Sequence, residues 1–421
     1  MTAPAPPLSD RDRRRGRLLA IASHPTGYTF RQVFTQQLPT LALVSLGASE
    51  LQVGIQGAFG FAFVALQLPT LRWVGRVSKR AILMGAHVFS LLMALPLVFF
   101  DALAAQPREG AVALAQASFA LVAAGCCVGE TVWFPLLRAY IEPGSTGRFF
   151  GMLRSGWHTA LLLFYVGSQA WLARHPGSFA PLFAFGWGLG FARTFLIAGL
   201  PERSERTGER VRIREALALL RVATLRRYLA TIALGNSVRV TALVFAIVML
   251  RRAAGLSESQ VVTATIASVA GGLATLYLWG RIVDRAGAVP VLRITALGTS
   301  LALVLLALAP AEALGVGWTS LWFFAVALLA AGFGVADTHL LFELAPAEAP
   351  ARTIVLGAVV SGLAAGLVPI GAGAALDVAL PADPAGALRV YRIFFALLAG
   401  LELAACLPTL GFERLRHGAG R

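Results

Sequence analysis

The chain has 421 residues, of which 57% are hydrophobic and only 14% charged, and its mean hydropathy is +0.73. Soluble domains carry about a quarter charged residues, so the balance excludes an ordinary soluble enzyme and points to a polytopic helical membrane protein. The formal net charge of +15 is then read as topology and attraction to anionic lipid, not as a nucleic-acid interface.

In chain order, the Arg cluster from Arg11 to Arg17 is followed by a short apolar run that His24 and Pro25 end, too short for a cleaved signal, so residues 1–25 are expected to be a cytoplasmic tail. Apolar runs then predict helices near 26–46, 51–73, 81–104, 111–140, 149–173 and 180–200, and again near 228–250, 259–279, 289–311, 317–344, 352–377 and 388–410. At about 20 residues per crossing this makes about twelve transmembrane helices. The two halves, 26–200 and 228–410, are joined by an Arg-rich linker, 201–227, whose amphipathic piece around Ile213 to Leu220 suits the inner membrane surface. Residues 411–421 form a C-terminal tail. With both termini inside, 27 basic residues fall on the cytoplasmic side and six outside, a bias that sets the orientation. Cys126, Cys127 and Cys406 all fall in apolar runs and read as small buried residues.

The halves repeat. Gly47-Ala48-Ser49-Glu50-Leu51-Gln52-Val53 is echoed by Gly255-Leu256-Ser257-Glu258-Ser259-Gln260-Val261 at an offset of 208, Arg76 by Arg285 at 209, and Val128-Gly129-Glu130-Thr131 by Val335-Ala336-Asp337-Thr338 at 207. Three matches in register mark two related six-helix halves. A charged stretch between two apolar runs, Gly280-Arg281-Ile282-Val283-Asp284-Arg285-Ala286-Gly287, predicts a tight cytoplasmic loop. Its Gly280, Asp284, Arg285 and Gly287 resemble the loop signature of the major facilitator superfamily. From about Tyr28 to Leu410 the chain is similar to that family, which implies an all-α fold of two pseudo-symmetric six-helix halves and transport by alternating access. The resemblance also implies that the acid and arginine of this loop gate the cycle.

The first-half loop departs from the pattern. Leu71, Gly75 and Ser78 stand where the motif has its leading Gly, its Asp and its second Gly, leaving Arg76, Lys79 and Arg80, so gating is expected to rest on Asp284. The fifth predicted helix lacks the Gly-Pro pattern of many drug and proton antiporters. The eleventh carries Gly362, Gly366, Pro369, Gly371 and Gly373, suited to close helix contact.

A charge inside a membrane costs about 2.5 to 3.5 kcal/mol on insertion scales and demands a partner or a water-filled cavity. Glu130 and Asp337 sit at equivalent depth in the fourth and tenth predicted helices, and the offset of 208 relates Arg31 to Arg239 in the first and seventh. Arg31 continues into a polar stripe through Gln32, Thr35 and Gln36, and Asn236 lies one turn from Arg239. These residues are the expected substrate and proton site, as ion pairs between halves or as receptors for an anionic group. His158, near Arg154 and Tyr165, is a weaker candidate for a proton relay, and Arg193 is expected to reach the interface. No nucleotide-binding loop, metal-ligand cluster or nucleophile–base set stands out, so neither an enzyme, a cofactor nor a metal is expected. The leading expectation is a secondary active transporter of a small organic solute, proton-coupled, a monomer in a bacterial cytoplasmic membrane. The alternative is a non-transporting relative acting as an assembly factor or sensor.

Overall fold

A backbone surrounded by lipid must satisfy its own hydrogen bonds, so each apolar run folds as a helix. The computed structural model describes residues 8–70, 73, 74, 76–141, 146–202, 218–344 and 350–411. In chain order the α-helices are α1 (Asp10–Thr35), α2 (Gln37–Ser45), α3 (Glu50–Ala62), α4 (Gln67–Thr70), α5 (Lys79–Val98), α6 (Phe100–Ala104), α7 (Arg108–Leu137), α8 (Thr146–Arg174) and α9 (Ala180–Ala198). They continue with α10 (Ala223–Arg252), α11 (Glu258–Ala286), α12 (Ala288–Leu308), α13 (Val316–Leu344), α14 (Pro350–Ala379) and α15 (Pro384–Ala404). Among the described residues no β-strand occurs, and ten helical spans are long and apolar enough to cross a membrane. The other two predicted spans are also helical. Gln36 divides the first into α1 and α2, and α8 carries Arg154, His158, Ser168 and Gln169.

Two boundaries differ from the sequence reading. α1 begins at Asp10, where the Ser9 hydroxyl accepts from the Asp12 amide at 3.1 Å, so the Arg11–Arg17 stretch is helical. α11 runs unbroken through Arg281, Asp284 and Arg285 to Ala286, and the expected loop shrinks to Gly287 at φ +84°. That conformation strains any residue with a Cβ, and it lets the Gly287 amide donate to the Val283 carbonyl at 2.8 Å before α12 starts. Most of the predicted linker, with Leu71 and Gly75 of the first-half loop, lies outside the described residues.

The repeated Gly-x-Ser-Glu-x-Gln sequence is a helix start. Gly47 and Gly255 both have positive φ. At the second copy the Ser257 hydroxyl accepts from the Gln260 amide while the Gln260 side chain accepts from the Ser257 amide, and Ser49 and Gln52 exchange the same two bonds at the first. This reciprocal cap satisfies amides that a helix would otherwise leave open.

The chain forms two compact units, Met1–Ala48 with Phe63–Arg210, and Ser49–Ala62 with Val211–Arg421. In the first, α5 packs against α7 and α9 while α1 packs on α8 and α9, around a core that includes Trp133, Leu136, Tyr140 and Ile197. In the second, α11 packs on α13, α12 on α13 and α15, and α10 on α14, around Tyr228, Trp279, Phe333 and Leu340. Phe195, Leu321 and Leu397 are each about two-thirds exposed, a surface that suits lipid and would be a liability in water.

Helix α3 belongs to the second unit although most of its sequence neighbours build the first. It seats on α14 through glycines. A Cβ at Gly373 would collide with the backbone of Glu50 and Leu51, and one at Gly54 with the Pro369 carbonyl. The seat is locked electrostatically, since the Asp377 carboxylate accepts from the Glu50 amide at 2.7 Å and the Leu51 amide at 3.1 Å, and Glu50 is ion-paired with Arg252. Gly373→Ala should therefore lower stability by about 1–3 kcal/mol through overpacking. Gly371→Ala, with no atom within 4 Å of the added Cβ, should be neutral or stabilise by up to about 1 kcal/mol. Thermal unfolding of the detergent-solubilised variants checks this, and equal midpoints for the two would contradict the seat.

Candidate functional site

In the first unit, Arg31 on α1 and Glu130 on α7 form an ion pair and hydrogen bond. The pair lies at a cavity of about 50 Å³ lined also by His24, Tyr28, His87, Trp133 and Arg193. Small residues make the room: a Cβ at Gly125 would collide with the Ser90 hydroxyl, and one at Gly27 with the Arg193 guanidinium. His87 is buried and bonds the Gly190 carbonyl at 2.8 Å through Nε2. Arg193 lies 5.3 Å from the Trp133 ring centroid. It lines this cavity instead of reaching an interface.

In the second unit, Arg239 on α10 pairs with Glu402 on α15 at 2.5 Å, and both side chains are buried. The guanidinium also lies 3.7 Å from the centroid of Phe333, a cation–π contact, and Gly235 leaves it space, one of its nitrogens lying 2.7 Å from where a Cβ would stand. Asp337 on α13 instead accepts from the Tyr228 hydroxyl at 2.5 Å. Asn236 donates to the Ser361 hydroxyl at 2.7 Å. The Arg31–Glu130 and Arg239–Glu402 pairs thus each form within one unit, because each of these arginines finds an acid on a helix of its own bundle.

The remaining sequence candidates are dispersed. Gln36 is the break residue between α1 and α2. His158 bonds the Arg154 carbonyl of its own helix at 2.8 Å, while Tyr165 donates to Gln37 at 3.3 Å, so no relay joins them. Arg76, Asp284 and Arg285 are exposed, and Gly280 has open space around it. Among the described residues no group of three metal-ligating side chains occurs. Sequence reasoning missed Tyr228, Glu402 and the cavity role of Arg193. Glu402 was findable, as a lone acid within a run from 388 to 410 that otherwise carries only Arg389 and Arg392 near its start.

Two helical units with charged side chains at repeat-related positions inside apolar helices define a polytopic helical membrane protein. The family model of the Major Facilitator Superfamily matches residues 26–369, and the chain belongs to that family. Solved structures agree in fold. A point mutant of the nucleoside transporter NupG superposes with a TM-score of 0.73 at 13% identity, covering 95% of this chain and 99% of that one. A D-xylose-proton symporter gives 0.71 at 16%, covering 95% and 97%. The inward-open xylose transporter XylE from E. coli gives 0.68 at 14%, covering 94% and 95%. Among curated proteins nothing matches.

Proposed function

We propose that the protein is a secondary active transporter that moves a small organic solute by alternating access, energised by protons, as a monomer in a bacterial cytoplasmic membrane with both termini inside. The observation that carries this reading is the placement of ionisable groups at repeat-related positions inside the bundles, Arg31 with Glu130 and Arg239 near Asp337 and Glu402, since buried charge in a membrane is costly unless it serves a pathway or relay. The D-xylose-proton symporter among the similar folds supports the coupling ion. The bias of basic residues supports the orientation and contact of the cytoplasmic loops with anionic lipid. Purified protein in proteoliposomes should accumulate solute only under a proton gradient. Solute flux that is indifferent to collapse of the gradient would remove the coupling, and absence of flux for every solute would favour the sensor reading.

Gating is proposed to depend on Asp284. A carboxylate in the last turn of α11 faces the negative end of its own helix, an unfavourable place that suggests a partner in part of the cycle. Asp284→Asn should leave folded yield unchanged, slow turnover and alter the labelling of engineered cysteines from each side of the membrane. Labelling identical to wild type would count against a gating role.

A further inference from the structure

The two units place related residues at an offset of 207 to 209, and that register exposes a charge imbalance in the first. Arg31 corresponds to Arg239, Glu130 to Asp337, Gly27 to Gly235, and Arg193 to Glu402. Where the second unit sets a carboxylate that neutralises Arg239, the first sets a second guanidinium. Glu130 is already engaged by Arg31. Arg193 has no ion-pair partner among the described residues, and its buried Nε has no hydrogen-bond partner. Its nearest polar neighbourhood is the cavity of about 50 Å³, whose charged lining is Arg31, Arg193 and Glu130, a net of one positive charge.

An uncompensated guanidinium inside a bundle is expensive, and here the fold accommodates it. Gly27 is the residue whose missing side chain leaves Arg193 its place, and Trp133 offers its ring face to the cation. A guanidinium presents a planar fork of donors that matches a carboxylate or phosphate. Each water-sized group needs about 10–15 Å³ of such space, so the cavity holds a head group of a few heavy atoms and not a whole metabolite.

We infer that this cavity is a receptor for one anionic head group, a carboxylate or a phosphate, with Arg193 as the ligand-binding cation and the Arg31–Glu130 pair as its neighbour. This deepens the transport reading by giving the solute a negative charge, and it rests on that reading only for the solute's passage, not for its binding.

The test is thermal unfolding of the detergent-solubilised full chain, titrated with benzoate, methyl phosphate or inorganic phosphate, against chloride at equal ionic strength and against the neutral isostere benzamide. At least one anion should raise the midpoint saturably while benzamide does not, and which anion acts separates carboxylate from phosphate recognition. Arg193→Gln should weaken that anion at least tenfold, Arg193→Lys should keep part of the response, and the ligand-free midpoint of Arg193→Gln should equal or exceed that of wild type, because a partly buried cation without an ion-pair partner is gone. Three results would overturn the inference: no response to any anion, an equal response to benzamide, or a ligand-free midpoint that falls in Arg193→Gln with anion affinity unchanged. Anion binding without flux in proteoliposomes would instead remove the transport reading and leave the receptor standing.

Discussion

Arg239→Met should lower the stability of the folded protein by about 3–5 kcal/mol, because it strands a carboxylate with no other charged partner in the interior. Glu402 has no exposed side-chain surface, and among the described residues its only cationic contact is Arg239 at 2.5 Å and neither of its oxygens is assigned a hydrogen-bond donor. Glu402→Leu should cost a similar amount, leaving Arg239 with the Phe333 face, a 3.5 Å contact with Thr299 and only the more distant Asp337 carboxylate. The double variant Arg239→Met/Glu402→Leu fills the same volume with apolar atoms and should recover most of the loss, since an apolar replacement of a buried pair is often neutral or stabilising. The double-mutant cycle, read as thermal midpoints and as the yield of monodisperse protein, isolates the coupling between the two. Additive losses would mean that the pair does not form.

Much of this was legible in the sequence because it depends on periodicity and on the price of buried charge. The twelve apolar runs became helices, and the Ser-Glu-x-Gln echo became the same capping box twice, since both follow from local hydrogen bonding. Arg31, Glu130, Arg239 and Asp337 were identifiable as charges in need of partners because all sit in apolar runs, but the expected pairing between halves gave the wrong partner for Arg31, which meets Glu130 of its own unit. What failed was long-range assignment. Glu402 and Asp337 are both acids within reach of one bundle, and no spacing rule says which of them Arg239 meets. Local context also misled, since a Gly-flanked charged stretch reads as a loop, whereas Arg281 to Ala286 simply complete α11 and only Gly287 turns the chain. The contact of α3 with α14 depends on glycines more than 300 residues apart in sequence, which a local pattern cannot pair.

Asp337→Asn should abolish proton-driven accumulation while sparing folded yield and solute exchange, and the structure gives a reason to prefer it to Glu130 as the coupling acid. A group that exchanges a proton once per cycle must be tolerated in both of its forms. Asp337 is bonded by the Tyr228 hydroxyl, which can donate to a carboxylate and accept from a carboxylic acid. Glu130 is bonded by Arg31, whose guanidinium has donors and no acceptor, so protonating Glu130 breaks the pair and leaves a cation unmatched. Asn at position 337 keeps an oxygen that the Tyr228 hydroxyl can still bond, so stability should change little, and uptake by this variant should lose its dependence on pH. Glu130→Gln, in contrast, should reduce folded protein by stranding Arg31, with Arg31→Gln/Glu130→Gln recovering part of the loss. The decisive measurement is uptake against external pH beside folded yield for both variants. If Asp337→Asn still accumulates solute under a proton gradient with the wild-type pH profile, the proton is carried elsewhere, and Glu130 becomes the carrier only if its own variant folds normally and loses the gradient response.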